Sequence, residues 1–320
     1  QQAWLLLAQS IYGAQAKVVE QGCHESILCA RPSLYAYQVS SWSEMEEYYN
    51  PDDVIRAAQL LVEASHEVNA NANFCYDLVD ITRQAIAEQA RYVYDEIVAA
   101  YKAKDRKMFD HATSKFLDII QQQDRLLSSM PDFMVGRWIR YARLLGTNDA
   151  ERDHYEWNAR VQITTWGNRS AAERGGLREY AHKEWNGVLA DFYYPRWKAY
   201  FSALRATLDG KPMQDIDFYA MDEKWTLQHN AYPYEAQGNP VEFAQKAFAE
   251  VFAARNINIP AIAIGLVLAV LTGFIFVGGT TRLAAVVEKI VPIMAGIYII
   301  GSLVVILLNI NSIPSAFMQI

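Results

Sequence analysis

Two stretches without a single charged residue, Ile259–Val277 and Ile290–Leu308, constrain this 320-residue chain more than any other feature. Each is 19 residues long. As α-helix that length is about 28 Å, enough to cross the hydrocarbon core of a bilayer. Thr280, Thr281, Arg282, Glu288 and Lys289 lie between them, so the pattern predicts two transmembrane helices joined by a short charged loop, with lipid as the partner. The basic loop residues favour the cytoplasmic side by a small margin of charge. Gly265, Gly273, Gly296 and Gly301 permit close helix contact. With no charged group inside either stretch, no ion path is visible. The competing reading is a buried hairpin within a water-soluble protein.

The rest of the chain has a different character. Of 29 basic and 36 acidic residues, residues 251–320 hold only Arg255, Arg282 and Lys289 against Glu288. The upstream part is therefore clearly acidic, which argues against a protein that binds nucleic-acid backbones. Cys23, Cys29 and Cys75 are an odd set with no CxxC spacing, so they give no metal framework. They leave open one Cys23–Cys29 bridge or reduced thiols in the core. Gln1-Gln2-Ala3-Trp4 has no basic region followed by a cleavage site. The chain opens directly into helical sequence, and a preceding domain is expected.

Helical spacing dominates residues 1–255. Asn50-Pro51-Asp52-Asp53 is a helix start, with a cap, a first-turn proline and first-turn acids, followed by Val54, Ala57, Leu60, Leu61 and Ala64 on one stripe. A second helix is expected from Phe74 to Lys104, with a bend or break near Ala99, and a third from Arg106 to Ser129. Shorter helices are expected over residues 131–146 and Asp149–Thr165. One more runs from Leu177 to Leu208, kinked or restarted at Pro195. The last begins at Asn239-Pro240 and ends near Ala254. The fold class is all-α: a multi-helix soluble domain over 1–255, then a two-helix membrane segment over 256–320.

Aromatic residues are densest between Tyr155 and Trp197. Most belong to a core, because large rings dominate helical packing. Trp166 differs: it ends a helix at Thr165-Trp166-Gly167 and precedes a polar loop, Asn168 to Gly176. An indole there can stack on the apolar face of a sugar while its N–H stays free to donate. Core or plain surface placement is the alternative. Glu156, Glu173, Glu179, Glu184 and Asp191 invite a glycosidase reading, but their spacing specifies no pair across a cleft. Glu179 and Lys183 read as a solvent-facing helix pair, Asp77 and Asp80 as local helix partners, and His154 and His182 lack metal-ligand spacing.

Several ordered motifs then become recognisable. They include Trp4-Leu5-Leu6-Leu7, Arg31-Pro32-Ser33-Leu34, Tyr76-Asp77-Leu78-Val79-Asp80-Ile81-Thr82-Arg83-Gln84 and Thr165-Trp166-Gly167. Further along come Leu177-Arg178-Glu179-Tyr180-Ala181-His182-Lys183-Glu184-Trp185 and Asp191-Phe192-Tyr193-Tyr194-Pro195-Arg196-Trp197. Over residues 1–253 the chain resembles the C-terminal helical domain of the α-N-acetylglucosaminidases, glycoside hydrolase family 89. The resemblance implies an exported, exo-acting, retaining hydrolase of terminal α-linked N-acetylglucosamine. Its two catalytic glutamates would lie in an upstream (β/α)8 barrel that this chain does not contain. The helical domain would pack on that barrel and supply one wall of the sugar pocket, through Trp166, Leu177 and Tyr180. It implies no cofactor and no metal, and it leaves this chain by itself without catalytic residues.

Residues 257–320 carry a second resemblance. Ala263-Ile264-Gly265-Leu266-Val267-Leu268-Ala269-Val270-Leu271-Thr272-Gly273, Gly278-Gly279-Thr280-Thr281-Arg282-Leu283-Ala284 and Glu288-Lys289-Ile290-Val291-Pro292 are similar to an internal stretch of the alanine or glycine:cation symporters. Na+ would be a ligand only if that resemblance carried function. The junction, Ala253-Ala254-Arg255-Asn256-Ile257-Asn258, has no Gly/Ser- or Pro-rich linker. This favours a chimera of a hydrolase domain with a symporter fragment. A membrane-anchored carbohydrate-binding or scaffold module is the alternative, as is a partial symporter polypeptide.

Overall fold

The computed structural model describes residues 26–35, 49–67, 71–174 and 181–253. The chain divides into two units, Gln1–Ala254 and Arg255–Ile320. Both expected membrane stretches fall in the second unit and lie outside the described residues; Cys23, Leu177, Glu179 and Tyr180, in the first unit, lie outside them too. Among the described residues no helix is long and apolar enough to cross a membrane.

Eight α-helices make up the described part of the first unit: α1 Pro51–Ala64, α2 Ala72–Lys102, α3 Arg106–Leu127, α4 Val135–Leu144, α5 Asp149–Gln162, α6 Tyr194–Leu208, α7 Phe218–Thr226 and α8 Pro240–Phe252. No strand occurs among the described residues; one isolated parallel bridge joins Met134 and Asn186. Most helix starts are closed by a side chain that accepts from an otherwise unpaired amide. Asn50 takes the Asp52 N–H at 3.1 Å, Asn71 that of Phe74 at 3.0 Å, Asp105 that of Met108 at 3.0 Å and Asn148 that of Glu151 at 3.0 Å. Asp217 caps α7 and Asn239 caps α8 in the same way.

The core forms around α2, which packs on α1, α3 and α8, while α3 packs on α6. At its centre Trp197 meets Phe116 at 4.8 Å, Phe201 at 5.2 Å and Tyr94 at 6.0 Å between ring centroids. Its indole N–H donates to Leu28 O at 3.1 Å. That bond fixes the short 3-10 turn Ile27–Cys29, whose three side chains are all buried. On the other side α4 and α5 pair as a hairpin, and α7 packs on α5.

Three expectations change. First, α2 runs unbroken past Ala99 to Lys102. Second, the helix expected from Leu177 is not formed over residues 182–185, and His182 has φ +44°. Helical backbone resumes with a π-helical turn at Leu189–Tyr193, and Pro195 falls in the first turn of α6, where its missing N–H costs nothing. Tertiary pairing overrides helix propensity here: Asn186 exchanges hydrogen bonds with Phe133 and Val135. Third, α7 went unforeseen. Its buried face includes Asp222, whose partner is Arg196 at 3.4 Å, so the apolar periodicity that betrays a helix is interrupted.

One carboxylate locks that irregular stretch. Asp124 on α3 accepts from the Gly187 N–H at 2.7 Å, the Ala190 N–H at 3.1 Å and the Asn186 amide at 2.8 Å. Burial pushes its carboxyl from 3.8 up to about 6, against those three donors, with Asp191 adding to the rise. A carboxyl raised in the folded state binds its proton more tightly there than in the unfolded chain. Its contribution to stability is therefore full below the unfolded value and is lost as pH rises through the folded one. Measured against Asp124→Asn by urea unfolding, the native chain is expected to lose about 3 kcal/mol of relative stability between pH 3.5 and pH 7. A gap between the two proteins that stays constant with pH would refute this.

Candidate functional site

Trp166 stands just past the end of α5 with φ +60°. Its N–H donates back to Val161 O at 2.8 Å, which closes the helix end. Glycine normally fills such a left-handed closing position, because a side chain there costs roughly 1–2 kcal/mol. Thr164 and Thr165 beside it are buried, yet the indole is 42 % exposed. Backbone preference does not account for a tryptophan at this point.

The segment that follows is tied down. Gly167 O accepts from the Tyr219 hydroxyl at 3.2 Å. Asn168 caps the π-helical turn Ser170–Arg174 through the Ala171 N–H at 3.0 Å. Arg169 forms a two-pronged pair with Asp217, both bonds 2.8 Å, and lies 4.6 Å above the Tyr219 ring. Glu173 receives both prongs of Arg31, at 2.8 and 3.0 Å. Beyond the undescribed residues, Glu184 accepts from Arg83 at 2.6 Å and Gln123 at 3.1 Å. Of the three expected wall residues only Trp166 is placed by the structure.

The described acids among those that invite a glycosidase reading are held by partners. Glu156, on α5, accepts from Arg160 at 2.7 and 2.9 Å and from Arg143 at 2.6 Å. Burial pushes its carboxyl up, but the hydrogen bonds from the two arginines outweigh that and hold it below its ordinary range. A general acid needs the opposite shift. Asp191 accepts from the Tyr232 hydroxyl at 2.9 Å and the Asn230 amide at 3.1 Å. Lys183 lies 5.1 Å from the Trp185 ring, and Asp80 pairs with Arg83 at 2.6 Å. His154 lies against Trp157 with the rings tilted, 5.5 Å between centroids.

Asp153, Glu156 and His229 bring their ligand atoms within 4.8 Å of one another, a grouping that sequence spacing did not suggest because His229 is remote. Arg143 Nη1 already bonds both carboxylates, at 2.8 and 2.6 Å. The two acids are one helical turn apart and share that cation. The arrangement is an ion-pair cluster rather than two acids facing across a cleft.

Residues 1–250 match the family model of the α-N-acetylglucosaminidase C-terminal domain, and residues 236–320 match that of the sodium:alanine symporter family. The human α-N-acetylglucosaminidase is 32% identical over 256 residues, 78% of this chain and 33% of that one. The Clostridium perfringens enzyme CpGH89, solved in complex with its substrate GlcNAc-α-1,4-galactose, superposes with a TM-score of 0.72 at 32% identity, covering 77% of this chain and 28% of that one. The amino-acid carrier protein AlsT of Bacillus subtilis is 49% identical over 59 residues, 18% of this chain and 13% of the carrier. The chain thus spans about a third of the human enzyme and a smaller share of each of the others.

If Trp166 serves something other than stability, removing it is cheap. Trp166→Gly is expected to change the unfolding free energy by no more than about 1 kcal/mol, because relief of the left-handed backbone offsets the lost contacts. Trp197→Ala, at 0 % exposure, is expected to cost about 3–5 kcal/mol. Urea titrations of both variants give the comparison; equal losses would make Trp166 a packing residue.

Proposed function

The chain belongs, through residues 1–250, to the family of α-N-acetylglucosaminidase C-terminal domains, and from that we propose that its helical domain is the non-catalytic wall of a pocket for terminal α-linked N-acetylglucosamine. The observation that carries the reading is Trp166: an indole displayed to solvent at a helix end where glycine is the unstrained choice. An indole face covers the C–H surface of a pyranose, and its N–H can donate to a sugar oxygen. Leu177 and Tyr180 complete the wall in this reading, a few residues along the segment that Arg31 and Arg169 tie at its start.

Cleavage then falls to a (β/α)8 barrel outside this chain. Arginine-held carboxylates such as Glu156 and Glu173 suit structure better than proton transfer. The barrel also gives a role to an apolar face. Trp138 and Tyr141 on α4 and Leu145 just past its end fall on one stripe and are exposed together with Leu144, and Trp157 is exposed on α5. Exposed apolar groups of this size mark contact surfaces, and the absent barrel is the partner we assign to them.

The symporter match favours a second element of the proposal. Residues 256–320 form a two-helix membrane segment that holds the hydrolase-derived domain, 1–255, at a bilayer. The match to a small share of the carrier speaks against transport, and so against Na+ as a ligand. In this reading the hydrolase part faces the exported side.

Two measurements test the proposal. With this domain joined to a family barrel, Trp166→Ala is expected to weaken binding of an N-acetylglucosamine-derived inhibitor about ten-fold or more, a loss of about 1.4 kcal/mol or more, while the melting temperature moves by only a few degrees. Parallel losses of affinity and stability would remove Trp166 from the pocket. The purified 320-residue chain is expected not to turn over an aryl α-N-acetylglucosaminide; activity that survives rigorous purification would place the acids of cleavage within it.

A further inference from the structure

Three consecutive residues at the start of α7 each hold the segment that follows Trp166. Asp217 takes both prongs of Arg169, and also caps α7 through the Ala220 N–H at 3.0 Å. Phe218 lies under Arg31, 5.2 Å from the ring centroid, and Arg31 in turn carries Glu173. Tyr219 reaches Gly167 O with its hydroxyl and lies under the Arg169 guanidinium. The contacts join parts of the chain 48, 52 and 142 residues apart, so they are built by the fold and not by local sequence.

The Arg169–Asp217 pair is worth little to global stability. The Arg169 and Asp217 side chains are 54% and 53% exposed, and an exposed ion pair contributes roughly 0–1 kcal/mol. A two-pronged pair stacked on a ring gives geometry instead, because the planar guanidinium fixes both distance and orientation. The ring it stacks on is that of Tyr219, whose hydroxyl bonds Gly167 O, next to a left-handed Trp166. We propose that Arg169 and Tyr219, on the platform Asp217–Tyr219, are positioning residues that hold the Trp166 turn in one orientation and so present the indole pre-organised to a sugar. The use of that orientation rests on the pocket reading; the platform itself does not.

The test uses the full chain in detergent, labelled with 5-fluorotryptophan, with the Trp166 resonance assigned by Trp166→Phe. Arg169→Ala and Tyr219→Phe are each expected to broaden the Trp166 resonance about two-fold or split it. The seven other tryptophan resonances should stay in place, and the melting temperature should shift by no more than about 2 °C. Arg169→Lys, which keeps the charge but not the fork, is expected to restore part of the sharpness. A Trp166 resonance unmoved by both single variants and by their combination would overturn the proposal. So would broadening of all the tryptophan signals together with a large fall in melting temperature.

A titration with methyl α-N-acetylglucosaminide, at up to tens of millimolar, separates this inference from the pocket reading. Sugar that shifts Trp166 in the native chain, with an affinity about five-fold weaker in Arg169→Ala, supports both. Sugar that leaves Trp166 unmoved while the variants still loosen it leaves the platform standing and removes the pocket. Sugar that binds native and variant chains alike, through an equally sharp resonance, does the reverse.

Discussion

Burial of α2 along most of its length is the constraint from which the rest of the helical unit follows. Fifteen of its 31 residues are buried, far more than one amphipathic stripe supplies, so neighbours must cover several faces. α1, α3 and α8 do so. The helix also carries polar groups inward: Glu88 is buried and accepts from the hydroxyl of Tyr49 at 2.5 Å and from Gln84 at 2.9 Å. A buried carboxylate is tolerable only with such donors. The short turn at Ile27–Cys29 is recruited for the same reason, plugging the end of the core beside Trp197.

The ion pairs divide into two kinds with different consequences. Arg160 is fully buried, sandwiched by Trp225 at 4.8 Å and Tyr232 at 5.3 Å, and bonded to Glu156 and Asn230. Removing Glu156 there would leave the buried Arg160 charge without its carboxylate, at a cost of several kcal/mol. Arg169–Asp217 is open to water, and its loss would barely register in an unfolding curve. Only the second kind can be tuned by selection without risk to the fold. It is also the kind that lies beside Trp166.

Legibility from sequence followed the range of the interaction. Helix starts were plain where cap, proline and acid lie within four residues, as at Asn50-Pro51-Asp52-Asp53 and Asn239-Pro240-Val241-Glu242, and both form as read. Trp166 was marked by its neighbours alone, a helix end and a glycine. The stretch around Ala181–Trp185 misled because its residues suit a helix, whereas Asp124 and Phe133, more than 50 positions away, dictate another path. α7 was hidden by a buried ion pair inside its apolar face. The Arg31–Glu173 clasp has no local signature at all.

Backbone conformation sharpens the point. The non-glycine residues with positive φ among those described are Lys104, Trp166 and His182. Lys104 is ordinary: it follows α2, Asp105 N–H returns to Ala100 O at 2.9 Å, and the next helix begins at once. A lysine loses little there, since its side chain simply enters water. Trp166 and His182 bracket the one stretch whose neighbours are fastened by Arg31, Arg83, Arg169 and Tyr219. Strain of about 1–2 kcal/mol per site persists only where surrounding contacts over-determine the backbone. A glycine at position 166 would have removed it in a single substitution. The chain instead keeps a large, half-exposed aromatic there, beside an Arg169–Asp217 pair too open to water to add much to the stability of the fold, and that is why the proposed ligand contact is assigned to this end of α5 rather than to the better buried acids.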